Sequence, residues 1–262
     1  MKKILLLLLM ILAASGCGNE AEKNTDSMRY KKFLIVGIDD EFAPMGFRNE
    51  AGEIVGFDVD LAKEVAKRMG VELEFRPIDW DNKEFEITSG NIDMIWNGLD
   101  IAQEYKSYMI FSRPYMKNRQ ILLVKANSDF NIYSEYDLAG KIVGTQTGSV
   151  SEDYINANAE LKDSFAAFKT YRNIKEEFDA LTNGEVDVII IDEIAGRYEI
   201  IRQPGAFKII EITIGSVTEF GIGFRKGNTA LRDKVQGVFD QIIKDGTAKK
   251  ISEKWFQADL IK

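Results

Sequence analysis

The chain has 262 residues, 42 of them acidic against 34 basic, for a net charge of −8, with one cysteine and no histidine. That acidity argues against a nucleic-acid partner, whose phosphates it would repel, and against broad adhesion to anionic lipid. With no histidine and only Cys17, the chain has no Ser-His or Cys-His nucleophile pair, no disulfide and none of the usual zinc ligand sets. No metal or cofactor is expected, and any catalysis would have to rest on Asp, Glu, Lys or Tyr.

Lys2 and Lys3 open the chain, and an apolar run follows from Ile4 to Ala14. The run is shorter than the roughly 20 residues a membrane span needs, but it suits the apolar core of a secretory signal. It ends in Ala14-Ser15-Gly16-Cys17, which is similar to the lipobox of bacterial lipoproteins. That similarity implies a leader over 1–16, with Cys17 acylated as the first mature residue. Residues 18–28 are small, polar and unpatterned, as in a flexible tether. The mature protein is thus expected outside the cytoplasm, anchored to the cell membrane rather than threaded through it. Loss of Lys2 and Lys3 leaves 32 basic against 42 acidic residues, a net charge of −10.

From Phe33 onward strands and helices alternate, which predicts an α/β fold with a largely parallel sheet. Phe33–Ile38 is an apolar strand that leads into a loop from Asp39 to Gly46. The clearest helix runs from Gly56 to Gly70, with Phe57, Leu61, Val65 and Met69 on one stripe and Ala62 and Ala66 beside them. Asp58 and Asp60 suit its positive end, Lys67 and Arg68 its negative end, and Gly70 its stop. A strand over Val71–Arg76, a helical stretch near Asn82–Ser89 and a buried strand over Asp93–Trp96 follow. After Pro114 the pattern restarts, with strands at Ile121–Lys125 and Lys141–Thr145 and a helix from Ser151. Phe165–Tyr171, a helix over Ile174–Asn183 and the apolar strand Val186–Ile191 complete a second α/β unit. Lys208–Thr213 and Phe220–Phe224 are further strands, and helices over Ala230–Lys244 and Thr247–Phe256 close the chain. No low-complexity or Pro-rich linker separates the two units.

Ordered motifs run through this pattern: Asp39-Asp-Glu-Phe-Ala-Pro44, Gly56-Phe-Asp-Val-Asp-Leu61, Gly90-Asn-Ile-Asp93, Trp96-Asn-Gly98, Phe111-Ser-Arg-Pro-Tyr115, Asp137-Leu-Ala-Gly-Lys141, Gly148-Ser149, Gly184-Glu-Val-Asp187, Phe220-Gly-Ile-Gly-Phe224 and Lys254-Trp-Phe256. Each is weak alone, but their order over about 32–257 resembles the family 3 solute-binding proteins, the amino-acid receptors of ABC importers. The resemblance implies a two-lobed, type II periplasmic-binding-protein-like fold with a discontinuous first lobe. Lobe one would take 29–114 and 220–262, and the hinges and lobe two 115–219, with hinge strands near Tyr115–Arg119 and Val217–Phe220. Ligand would bind between the lobes and close them, and the closed form of the protein, expected to be a monomer, would meet a membrane permease.

The same resemblance assigns a pocket. Asp39 and Phe42 match an acidic residue and an aromatic after the first strand, and Trp80 matches a second aromatic against the ligand. Asn97 and Gly98 match a loop whose backbone holds the ligand carboxylate, and Gln146 and Gly148 the corresponding turn of lobe two. Asp192 matches the carboxylate that receives an α-ammonium, and it could at the same time cap the helix that follows. One stretch departs from the family. Members that bind α-amino acids usually read Thr-x-Thr-x-x-Arg after the glycine, whereas Gly98 is followed by Leu-Asp-Ile-Ala-Gln-Glu-Tyr105. Asp100 stands at the first Thr and Tyr105 at the Arg. Either Arg113 or Arg119 supplies the missing guanidinium, or the ligand is a cationic amine held by Asp39, Asp100 and Asp192 with Phe42, Trp80 and Tyr105. Two other uses of the fold stay open: a sensor acting through a separate signalling protein, and a cyclohexadienyl dehydratase-like enzyme.

Overall fold

The computed structural model describes residues 33–262, so the leader, Cys17 and tether expected over 1–28 lie outside the described residues. The apolar run Phe33–Ile38 forms strand β1, with Val36, Gly37 and Ile38 buried. Three very short strands follow, β2 (Glu41–Phe42), β3 (Gly46–Arg48) and β4 (Ile54–Val55), as a small antiparallel sheet. Helix α1 (Phe57–Met69) buries Phe57, Leu61, Val65, Ala62 and Ala66 and stops at Gly70 in a left-handed conformation. Each of its large apolar side chains contributes about 1.5–3 kcal/mol by leaving water. Strand β5 (Glu72–Pro77), a 3-10 turn at Trp80–Asn82, helix α2 (Lys83–Ser89), strand β6 (Met94–Ile95), a second 3-10 turn at Glu104–Ser107 and strand β7 (Met109–Phe111) complete the first pass.

The chain then enters a second sheet through β8 (Met116–Lys125) and continues as β9 (Ile142–Gln146), α3 (Val150–Ala157), α4 (Ala159–Ser164) and β10 (Ala167–Tyr171). Helix α5 (Ile174–Asn183), β11 (Val188–Asp192), α6 (Glu193–Arg202) and the long β12 (Phe207–Phe220) follow. Strand β13 (Gly223–Arg225) returns to the first sheet, and α7 (Thr229–Lys244) and α8 (Thr247–Phe256) end the chain.

The first sheet has the order β5-β1-β6-β13-β7 and the second β10-β9-β11-β8-β12. β1 runs parallel to β5 and β6, and β9 parallel to β10 and β11. β8 and β12 lie antiparallel, and their pairing reaches Asn118–Thr218, Lys117–Glu219 and Met116–Phe220, where the chain passes between the sheets. The protein therefore has the two-lobed type II architecture, with the second lobe inserted into the first. Each lobe has its own core: Leu122, Val143, Val188 and Ile190 anchor one in lobe two. Phe57, Trp96, Tyr115, Phe220 and Phe239 pack ring against ring in lobe one, at the crossover. Among the described residues no helix is long and apolar enough to cross a membrane.

Candidate ligand-binding site

The ends of the parallel strands converge on one cavity between the two sheets, as open α/β sheets arrange their ligand sites. Asp39 follows β1, Gly98, Leu99 and Asp100 follow β6, Gln146 ends β9, and Asp192 ends β11. Phe42 of β2, Trp80 and Tyr105 of the two 3-10 turns, Gln120 of β8, and Ser149 and Val150 at the start of α3 complete the wall. The space between these walls has an empty volume of about 370 Å³, open solvent included.

Its loops are held by buried polar contacts. The Asp39 N–H donates to Asn97 Oδ1 at 2.7 Å, and the Gly98 N–H to Asp58 Oδ2 at 2.6 Å. Tyr115 also donates its hydroxyl to Asp58, at 2.8 and 2.9 Å, so one carboxylate at the start of α1 fixes both the site loop and the crossover. Gly98 has φ +57°, and a Cβ there would lie 2.5 Å from the Phe42 ring. Glycine is required on both counts.

Three carboxylates line the cavity, and no Lys or Arg does. Asp39 accepts from the Glu41 N–H at 3.0 Å and from Gln146 Nε2 at 2.7 Å. Asp192 accepts from Gln120 Nε2 at 2.7 Å and from Asn118 Nδ2, which also reaches Asp100 Oδ1 at 3.2 Å. Asp100 accepts from the Thr218 hydroxyl as well. Burial pushes Asp39 up to about 6. It also raises Asp100 and Asp192, and the facing charge of Asp192 raises Asp100 further. Neutral donors hold these oxygens in place, but no cation neutralises them.

Eight of the ten residues assigned from sequence, Asp39, Phe42, Trp80, Gly98, Asp100, Tyr105, Gln146 and Asp192, come together in this lining. Asn97 and Gly148 do not. Asn97 is fully buried behind the wall, holding Asp39 from below. Gly148 has φ +72°, and a Cβ there would lie 2.9 Å from Asp81 Cα, so this glycine permits close approach of the lobes. Its carbonyl accepts from Lys83 Nζ at 2.6 Å and from the Tyr105 hydroxyl at 3.2 Å. The Gly148 N–H donates to Glu152 Oε2 at 2.6 Å and the Gly98 N–H to Asp58, so these two N–H groups are already engaged. Asp192 stands at the N-cap of α6 yet makes no capping hydrogen bond.

Neither candidate arginine reaches the cavity. Arg119 pairs with Glu193 at 2.7 and 2.8 Å and with Glu211 at 2.8 Å, and holds the Glu193 carboxyl down at about 2. Arg113 pairs with Asp240 on the surface. The strand explains the first case. Alternate residues of β8 face opposite ways, so Asn118 and Gln120 are buried toward Asp192 while Lys117 and Arg119 face outward. Gln120 and Ser149 escaped the sequence reading. A polar residue leading directly into the apolar run Ile121–Val124 was the available signal for Gln120.

The sequence profile of the bacterial extracellular solute-binding proteins, family 3, matches residues 34–258. The L-cystine-binding protein TcyJ of Escherichia coli is 31% identical over 229 residues, covering 87% of this chain and 84% of that protein. The arginine-binding extracellular protein ArtP of Bacillus subtilis is 32% identical over 272 aligned positions, covering 99% of this chain and all of that one. Among solved structures, an ABC uptake transporter substrate-binding protein from Streptococcus pneumoniae with bound histidine superimposes with a TM-score of 0.85 at 35% identity, covering 92% of this chain and 99% of that one. An ancestral arginine-binding protein bound to arginine gives 0.80 at 39%, over 86% of this chain and 98% of that one. With the two-sheet architecture, the inserted second lobe and a profile match over nearly all the described residues, the chain belongs to the bacterial extracellular solute-binding proteins of family 3.

Proposed function

We propose that this protein is the extracytoplasmic receptor of an ABC importer, lipid-anchored through Cys17, that captures an amino acid or related small amine between its lobes and presents it to a membrane permease. The observation that carries this reading is the cavity itself, to which both lobes contribute polar and aromatic side chains. Lobe closure about β8 and β12 is the motion that would bring both walls onto a ligand. Contacts that cross from one lobe to the other, Gln146 to Asp39 and Lys83 to Gly148, are of the kind that would form on closing. The protein is taken to work as a monomer and without a cofactor. A dehydratase acting on prephenate-like dicarboxylates is poorly served by a wall of three aspartates.

A thermal-shift screen of the purified protein against amino acids, polyamines, other small amines and neutral solutes tests the reading. A ligand at a hundred times its Kd adds about 2.7 kcal/mol, a shift of several degrees for a protein of this size. A flat screen across all classes would count against the receptor role.

A further inference from the structure

We infer that the ligand is a compact organic cation without a carboxylate, an amine or guanidine whose positive group sits between Asp100 and Asp192 and against Asp39. The inference rests on the receptor reading of the cavity and goes one step further, to the class of solute. All formal charge on the lining is negative. Asp100 and Asp192 share a single donor, Asn118 Nδ2, which brings the two carboxylates close enough for one ammonium or guanidinium to bridge them. The Oδ1 of that same asparagine is buried and has no hydrogen-bond partner, so acceptors outnumber donors at this spot. A cation supplies what is lacking there.

A carboxylate would find no charged donor in the lining. One N–H of the Gln120 amide is spent on Asp192 and one of the Gln146 amide on Asp39, and the Tyr105 hydroxyl donates to the Gly148 carbonyl. Arg113 and Arg119 are paired elsewhere. Lys83 is the nearest lysine to the aromatic wall, but its Nζ is bound to the carbonyls of Gly148 and Trp80. It lies 4.7 and 5.7 Å from the Tyr105 and Trp80 ring centroids and does not line the cavity. Phe42, Trp80 and Tyr105 place aromatic rings in the same wall, the kind of group that suits an alkylammonium or guanidinium. A metal ion fits less well, for among the described residues no group of three or more carboxylates is gathered to hold one.

The test compares molecules that differ only in their carboxylates, one in agmatine against arginine and histamine against histidine and two in cystamine against cystine, each titrated calorimetrically into the purified, extensively dialysed protein. In at least one pair the amine is expected to bind at least tenfold more tightly than its amino acid, and Asp100→Asn to weaken that amine at least tenfold while the melting temperature of the free protein holds or rises. An amino acid that binds more tightly than its amine in every pair overturns the inference and leaves the receptor reading standing. Absence of binding by every amine overturns it as well, and the receptor reading is then decided by the broader thermal-shift screen. An Asp100→Asn variant that is folded by circular dichroism and binds the amine as wild type does removes Asp100 from the site.

Discussion

Asp58 lies at the hub of the site although no part of it faces the cavity. It is fully buried and accepts hydrogen bonds from Gly98 and Tyr115, yet burial pushes its carboxyl up from the usual 3.8 to about 7. Between these values the folded chain holds a proton that the unfolded chain has released. Stability from this group is therefore complete below about pH 4 and is lost as pH rises to about 7. Asp39, raised to about 6, acts in the same direction. Glu193 and Asp245, held at about 2 by Arg119 and Arg68, act oppositely but only in more acidic solution. Ligand-free protein is expected to melt at a higher temperature at pH 5 than at pH 7.5, and Asp58→Asn to shrink that difference. A melting temperature that climbs steadily over the same interval would contradict this account.

At the scale of elements, the turn between β9 and α3 meets the start of α2 across the cleft. Gly148 allows the backbones to approach, and the Lys83 ammonium, its pKa lowered by burial, binds the Gly148 carbonyl. Gly148→Ala would combine left-handed strain of about 1–3 kcal/mol with a methyl placed 2.9 Å from Asp81 Cα. The expected result is a loss of ligand affinity of tenfold or more, with an expanded radius of gyration by X-ray scattering at saturating ligand. Unchanged affinity and radius would show that the lobes do not need this contact. A neighbouring element gives a control: Asn173 caps α5 by accepting from the Glu176 N–H at 2.9 Å, away from the cavity. Asn173→Ala is expected to cost about 1 kcal/mol of stability in urea unfolding and to leave ligand affinity unchanged.

For the whole molecule, the insertion of one lobe into the other means that, among the described residues, two strands, β8 and β12, carry the chain between the sheets. They are zipped together there, and the C-terminal Lys262 N–H donates to the Tyr115 carbonyl at 3.0 Å, tying the end of the chain to the crossover. The proposed lipid anchor at Cys17 would keep the receptor beside its permease. Cys17→Ser is expected to move the protein from the membrane fraction into the medium without altering its ligand affinity. Retention of the variant in washed membranes would dismiss the lipid anchor.

Much of this design was legible in the chain. The stripe of α1, the apolar runs of β1 and β11 and the glycine stops at Gly70 and Gly184 follow from local periodicity and backbone preference, which act within a few residues. The order of the motifs carried the family, and with it most of the cavity wall. Strands β2, β3 and β4 were not legible, because two or three residues show no alternation and their pairing is decided by neighbours. The same holds for β12, which continues beyond the expected Thr213 through Gly215, Ser216 and Thr218 because β8 supplies its hydrogen bonds. Sequence alone determined the kinds of groups available: aspartates, aromatics and no histidine. Only the tertiary structure decided which of them meet, setting Asp100 beside Asp192 through Asn118 and turning Arg119 outward, because side-chain direction depends on strand register and on packing between distant segments.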